Sequence, residues 1–356
     1  MKLINKTILI ISNEPWGDIW YSKHNWAFEL SKNNKVFFVN PPKKWKFSNL
    51  FTSNVSINNY TDNLYILNYN NRLPYTRFNI LFKINEFLVF KSLKKIFKNE
   101  KDIVFWTFDP YRLINPKKMN LLTSIYFIAD KYQIQREKQL INNVENILSV
   151  SKELTKDIKN KPILNLSHGI SESEFITEKK INDNFILYIG GIDYRLDYET
   201  IEHLLKSFPK EKFLFIGKIS EIDDNSFKRI FIEKKYSNLE YKKAIHFKEL
   251  KNYIYSAKIC LAPMKKGVQG NSINHHKLLQ YLSFGKPVLS AKFNDYKNND
   301  LLIEYINSNE AVDKLKLLLD KEENNDVKQK RINFARQFLY SNLINKIEMF
   351  FNEKGT

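Results

Sequence analysis

The chain has 356 residues, a formal net charge of +18 and a single cysteine, with 14% aromatic residues and 9 glycines. That length accommodates two domains, each able to bury a core, and the aromatic content excludes a disordered chain. One cysteine excludes an internal disulfide framework and fits a reducing cytoplasm, and no apolar run reaches the length of a membrane span.

The opening MKLINKTILIIS carries Asn and Lys inside its apolar run, so no signal peptide is expected, and Thr7 to Ser12 is predicted as a buried strand. NEPWGDIWYSKHNWAFEL turns through Gly17 into a helix, and Lys35 to Asn40 is the next strand, completing a βαβ unit. Apolar residues alternate between Asn54 and Asn70, and Phe78 to Phe97 is predicted as a long helix. Further strands are expected from Ile103 (IVFWTF), from Ser124 (SIYFIAD) and in NILSVS, which ends at Ser151, with a helix over Glu137 to Asn143. Strands alternating with helices imply a parallel sheet covered on both faces. Ser167 to Lys180 is the candidate linker.

A second series follows: a strand in FILYIGG closing on Gly190-Gly191, a helix from Tyr198 to Ser207, a strand in KFLFIGK and another from Lys258 to Pro263. Cys260 lies in that last strand and is expected in the core. The most informative stretch is NSINHHKLLQYLSFGKPVLS, Asn271 to Ser290. Asn271, Ser272 and Asn274 are helix-capping types; Leu278, Leu279, Tyr281 and Leu282 form an apolar stripe; Gly285 before Lys286-Pro287 ends the helix. A final helix is expected over Lys328 to Phe351.

Free N–H groups at the start of the Asn271 helix, beside His275, His276 and Lys277, suit a phosphate or diphosphate. The alternative is a surface helix with a basic first turn, an arrangement that the helix dipole disfavours.

Asn274 through Lys277, Gln280-Tyr281-Leu282 and Gly285-Lys286-Pro287-Val288 together resemble the donor-nucleotide helix of GT-B glycosyltransferases. The nearest are the family 4 (group 1) enzymes, particularly teichuronic-acid-type polysaccharide transferases. ISNEPWGDIWYSKHNWAFEL, FWTFDPY, YFIADKY, LSVSKEL and YIGGIDYRLDYE match further segments of that family in order, so the resemblance covers nearly the whole chain. It implies an α/β GT-B fold of two Rossmann-like domains with parallel sheets facing a central cleft. The expected divisions are 1–170 on the acceptor side, 171–327 for the nucleotide sugar, and a terminal helix, 328–356, returning to the first domain. The family usually carries an E-x7-E pair whose second acid holds the ribose hydroxyls. Here Ser272 and Gln280 occupy those two positions, so both carboxylates are replaced. An amide still hydrogen-bonds a diol, without the charge that strengthens such bonds; Gln280→Glu would restore the pattern.

Other candidates stand at strand ends. Asp130 and Asp109 follow predicted parallel strands, where open α/β sheets bind ligands, and Asp130 is expected to face the sugar; the alternative for both is capping or loop hydrogen bonding. Gly17 lets a ligand approach the backbone or is a plain turn glycine. Arg195, after Gly191, is placed to clamp a diphosphate, or else pairs with Asp193 or Asp197. His246-Phe247 is a candidate base-contact loop, with core packing of Phe247 as the alternative, and His24, alone on a helix, reads as structural.

No D-x-D motif occurs, and the six histidines show no metal-ligand spacing, so no metal or cofactor is expected beyond the nucleotide-sugar donor. Lys277, Arg195 and the helix start would then neutralise the departing diphosphate, while domain closure excludes water. No residue is singled out as a catalytic base. The expected activity is metal-independent transfer of a sugar, in hexosyltransferase fashion, to a polysaccharide or lipid-linked saccharide of the cell envelope. Retention of configuration follows only from the resemblance. A GT-B protein with lost or altered donor chemistry is the alternative, and a basic nucleic-acid binder, motivated by charge alone, is a third.

Residues 1–100 hold 15 Lys and Arg against 6 Asp and Glu. An anionic membrane surface would satisfy that excess; no nucleic-acid motif accompanies it. A cytoplasmic protein, peripheral on the inner face of the plasma membrane, is expected. The surface candidates are Phe78, Leu81, Phe82, Phe87, Phe90 and Phe97 among Lys83, Lys91, Lys94, Lys95 and Lys98, with KKWKF at Lys43 to Phe47. The alternative is a core-packed helix with a solvated basic rim.

Overall fold

The computed structural model describes every residue except 52–54, 75, 133, 178–180, 182–183, 266–275, 294–300, 322 and 354–356, and the side chain of Phe247. The chain divides into two compact units, Met1–Ser167 with Leu343–Thr356, and His168–Asn342.

The first unit is built on an eight-stranded sheet. Its strands are β1 (Thr7–Ile11), β2 (Lys35–Val39), β3 (Ser56–Thr61), β4 (Leu64–Asn68), β5 (Ile103–Thr107), β6 (Thr123–Ile128), β7 (Asn146–Ser149) and β8 (Ile163–Asn165). Their spatial order is β3-β4-β2-β1-β5-β6-β7-β8. The apolar runs TILII, IVFWT and TSIYFI are buried throughout, as central parallel strands covered on both faces must be. β3 is the exception to the expected parallel sheet. It pairs antiparallel with β4, because the two residues between them allow a hairpin and no crossover. All of β3 is exposed, as suits a polar edge.

The covering helices include α1 (Ser22–Ser31), α2 (Asn79–Ile96) and α3 (Gln135–Asn143). Trp26 of α1 packs against Trp106 of β5 with ring centroids 5.2 Å apart. α2 buries Phe82, Val89, Phe90 and Leu93 against the sheet, and Phe97 follows into the core. Phe82, Phe90 and Phe97 are therefore unavailable to a membrane, contrary to expectation; Phe78 and Phe87 stay exposed. Burying all six would need an apolar face running most of the way round the helix, which its lysines prevent.

The second unit carries a wholly parallel six-stranded sheet. Its strands are β9 (Ile186–Ile189), β10 (Phe213–Ile216), β11 (Leu239–Lys242), β12 (Ile259–Ala262), β13 (Val288–Ala291) and β14 (Ile303–Tyr305), in the order β11-β10-β9-β12-β13-β14. Its helices are α4 (Tyr198–Ser207), the single turn α5 (Asn225–Phe227), α6 (Phe247–Ser256), α7 (His276–Ser283), α8 (Ser308–Asp320) and α9 (Asn325–Arg336); α10 (Tyr340–Asn352) follows, and from Leu343 on it belongs to the first unit. Cys260 is fully buried. Gly285, at φ +68°, closes α7 as its sequence predicts, with Lys286 N–H donating to the Tyr281 carbonyl at 3.1 Å.

The single helix expected over Lys328 to Phe351 is two. The backbone leaves the helix over Gln337 to Leu339, where the chain pairs with Ile170, whose N–H donates to Phe338 O at 2.9 Å and whose carbonyl accepts from Tyr340 N at 3.1 Å. That tertiary pairing overrides a sequence without glycine or proline at the break.

In both sheets the order of strands reverses beside the first strand, between β1 and β5 and between β9 and β12. At such a switch point the loops diverge and leave a crevice beyond the strands' carboxyl ends.

Candidate functional site

The second unit concentrates its chemistry at the β9/β12 switch point. Tyr188, near the end of β9, donates its hydroxyl to Gly191 O at 2.8 Å, and Lys277, in the first turn of α7, donates Nζ–H to that hydroxyl at 3.1 Å. The ammonium also lies 4.5 Å from the centroid of the Tyr188 ring. Gly190 makes this possible in two ways. Its φ is +146°, and a Cβ there would stand 2.9 Å from both Lys277 Nζ and the Tyr188 hydroxyl. Burial lowers the Lys277 amine to about 7, with the charge of Arg195 acting the same way and Asp193 opposing.

Arg195 takes the alternative considered for it. Its Nε and one terminal nitrogen grip Asp193 at 2.9 and 2.7 Å. Burial pushes the Asp193 carboxyl up, but the Arg195 hydrogen bonds, with the charges of Arg195 and Lys277, bring it below its usual value. The loop is braced by Tyr198 OH donating to Asp193 O at 2.8 Å and by Lys265 N–H donating to Arg195 O at 2.8 Å. Gly191 lies against this pair: a Cβ there would be 2.7 Å from Asp193 Oδ2.

Gln280, one turn along α7, donates Nε2–H to Glu174 Oε1 at 2.6 Å. Glu174 also accepts from Ser171 N–H at 2.9 Å, completing a capping box, while its carbonyl accepts from Ser283 Oγ at 2.9 Å. Gln280 thus fastens the 171–174 segment to α7. His276 Nε2 is 3.9 Å from the same Glu174 oxygen. His246 caps α6, its Nδ1 accepting from Lys248 N–H at 3.3 Å, and Phe247 begins that helix, so His246-Phe247 is a helix start and no free loop. Asn271, Ser272, Asn274 and His275 lie outside the described residues.

In the first unit a cavity of about 550 Å³ opens where the chain leaves β1, β2, β5 and β6. Asn13, Glu14, Tyr111, Tyr132 and Arg136 line it. Arg112 ties its loops together. The guanidinium pairs with buried Asp109 and donates to the carbonyls of Ser12 and Asn40 and to the Tyr69 hydroxyl. Asp109 is therefore a loop-fixing residue. Glu86, also lining the cavity, is pushed up to about 7 by burial. Asp130 is exposed beyond the end of β6, where its charge acts on Lys23 and Tyr132. A Cβ on Gly17 would meet nothing within 4 Å, so no neighbouring protein atom demands glycine there. His24 is structural as read: its Nδ1 accepts from Tyr21 N–H at 3.1 Å and Nε2 faces Pro15 O at 3.0 Å. Burial lowers it to about 4, so the ring is neutral and Nε2–H is the donor.

Sequence reasoning missed Tyr188 and Glu174. A tyrosine in an otherwise aliphatic central strand, just before two glycines, was the signal for the first, since a buried hydroxyl needs a partner. The S-x-x-E spacing of Ser171 and Glu174 was the signal for the second.

No family model matches the chain. A putative teichuronic acid biosynthesis glycosyltransferase of Bacillus subtilis, TuaH, is 23% identical over 194 residues, which span 50% of this chain and 48% of that protein. The match thus covers about half the length of the curated relative. Sucrose-phosphate synthase from Thermosynechococcus elongatus superimposes with a TM-score of 0.70 at 11% identity, over 98% of this chain and 99% of that one. The chain has the GT-B fold of glycosyltransferases. A UDP-forming α,α-trehalose-phosphate synthase from Burkholderia vietnamiensis gives a TM-score of 0.66 at 9% identity, over 97% and 96%. The pneumococcal O-GlcNAc transferase GtfA, solved in complex with UDP and GlcNAc, gives 0.63 at 10% identity, over 98% and 99%. The resemblance to GT-B glycosyltransferases drawn from the sequence thus extends across both units of the fold.

Proposed function

We propose that this GT-B protein transfers a sugar from a nucleotide-diphosphate donor to a saccharide acceptor in cell-surface glycan synthesis. The observation that carries the reading is the Lys277–Tyr188 contact over Gly190, placed at the switch point of a parallel sheet. An amine whose charge burial disfavours, held against an aromatic ring and, among the described residues, in no ion pair with a carboxylate, is poised to take its charge from an arriving anion. Lys277 is assigned to the leaving diphosphate. Arg195 supports it through the field it shares with Asp193, and His276 and Gln280 line the same helix. The described residues hold no group of three His, Cys, Asp or Glu side chains fit for a metal, and the proposed charge stabilisation runs through Lys277 and the α7 start.

The 550 Å³ cavity of the first unit, with its mixture of tyrosines, amides and charged groups, is assigned to the acceptor, and Asp130, whose charge acts on the lining residue Tyr132, to the same sugar. A polysaccharide acceptor is the finer form of the proposal, in keeping with the partial similarity to the teichuronic acid biosynthesis protein TuaH; a lipid-linked saccharide and a retaining reaction rest on the sequence resemblance alone. No helix among the described residues is long and apolar enough to cross a membrane. A lipid-linked acceptor would be met at an anionic surface, and the exposed lysines of α2 favour that meeting. The test is release of nucleoside diphosphate from a panel of nucleotide sugars with candidate saccharide acceptors, by wild type and Lys277→Ala. Turnover of one donor, lost in the variant, supports the reading; hydrolysis or transfer that ignores Lys277 contradicts it.

A further inference from the structure

The first unit holds a second cavity, of about 280 Å³, between the chain leaving β4 and the side of α2. Arg72, Lys91 and Lys95 line it with Asn70, Ser92 and Leu88, and none of its lining residues is acidic. Among the described residues none of the three cations is in an ion pair with a carboxylate, and Arg72 Nε is buried without a hydrogen-bond partner. Arg72, Lys91 and Lys95 are thus cations around one cavity with no counter-charge among its lining residues, and an anion seated there would take charge-assisted hydrogen bonds from them.

Two segments joined to the cavity carry exposed apolar side chains. On α2, Ile80, Ile84 and Phe87 recur at helical spacing, 74%, 41% and 57% exposed, and Lys91 and Lys94 continue the same stripe. Lys91 belongs to both stripe and cavity. The second segment carries Phe47 and Phe51, 70% and 74% exposed. Their segment is fastened to residues at the cavity: Lys43 N–H donates to Tyr69 O at 3.1 Å and Trp45 Nε1–H to Arg72 O at 3.0 Å. A free anion would satisfy the cations and leave these apolar groups in water. A bilayer surface satisfies both.

We propose that the cavity seats the headgroup phosphate of an anionic phospholipid, while Phe47, Phe51, Ile84 and Phe87 enter the interfacial layer around it. The inference rests on the membrane-surface reading above and adds a defined site to it. Diffuse attraction would treat all surface lysines alike; a site would not.

The test is co-sedimentation with phosphatidylcholine vesicles, with and without phosphatidylglycerol. Two variants remove equal charge: Arg72→Gln with Lys95→Gln in the cavity, and Lys83→Gln with Lys94→Gln outside it. Wild type is expected on phosphatidylglycerol vesicles only. The outer pair should lose the roughly fivefold per cation of diffuse attraction, and the cavity pair at least about tenfold more. Lys95→Gln alone, at an exposed position, repeats the comparison if the pair folds poorly. Equal losses would overturn the site and leave the membrane reading standing; no binding to anionic vesicles would overturn both. Calorimetric binding of glycerol phosphate as strong as vesicle binding would make this a soluble-anion site and overturn the lipid assignment.

Discussion

The Lys277 ammonium donates to the Tyr188 hydroxyl at 3.1 Å, joining the first turn of α7 to the end of β9 across 89 residues of sequence. Tyr188 passes the hydrogen bond on to Gly191 O, so a helix start, a central strand and the glycine loop form one unit around the amine. A ligand phosphate arriving there meets a cation whose charge the fold itself disfavours.

Removing that amine should cost activity. Lys277→Ala is expected to lower kcat/KM for the donor by about 10²-fold or more, the scale of a lost electrostatic contact to developing charge. Circular dichroism should be unchanged. Activity within twofold of wild type would remove Lys277 from the leaving-group role.

The same amine should weaken the empty protein. Its folded value of about 7 lies below the ordinary 10.5, so between those pH values the unfolded chain binds more protons and stability rises with pH. Lys277→Met, which keeps the bulk, is expected to raise Tm near pH 7 and to lose that pH-dependent increment. A lower Tm at pH 7 would show that the amine is stabilising.

Donor binding should take up a proton. A diphosphate raises the amine's value, so affinity is full below about pH 7 and falls as pH rises above it. Calorimetry in buffers of differing ionisation enthalpy would register the uptake between pH 7 and 8.5. Binding without proton exchange there would mean that the diphosphate does not reach Lys277.

Gly190→Ala tests the geometry. The new Cβ would sit 2.9 Å from both Lys277 Nζ and the Tyr188 hydroxyl at a φ of +146°. Backbone strain of this kind costs about 1–3 kcal/mol. Lower stability with impaired donor binding is expected, and an unperturbed variant would contradict the contact.

The strands TILII, IVFWT and FLFI were legible because burial on both faces of a parallel sheet writes them as unbroken apolar runs. LEYK of β11 and IEY of β14 were not, since edge strands need fewer apolar residues. Within the site, the Asp193–Arg195 pair was readable because its partners are two residues apart. The contact of Gln280 with Glu174 spans 106 residues, and only tertiary structure reveals it.

That contact reverses one expectation. Gln280→Glu would set a second carboxylate at hydrogen-bond distance from Glu174 and restore no free acid. Two such groups cannot both ionise cheaply, so they should share a proton. The variant should be less stable than wild type at pH 8 and recover towards pH 5. A pH-independent difference, or none, would show that Glu174 moves away.

Binding of a nucleotide-diphosphate sugar at the crest of the second unit's sheet should run through Lys277. Calorimetric titration of a nucleotide-sugar panel, with an oligonucleotide as polyanion control, into wild type and Lys277→Ala at pH 6.5 decides the matter. One-to-one binding of at least one donor is expected, abolished or sharply weakened in the variant, with no comparable oligonucleotide binding. Absence of donor binding, or salt-dependent binding of the oligonucleotide alone, would contradict it.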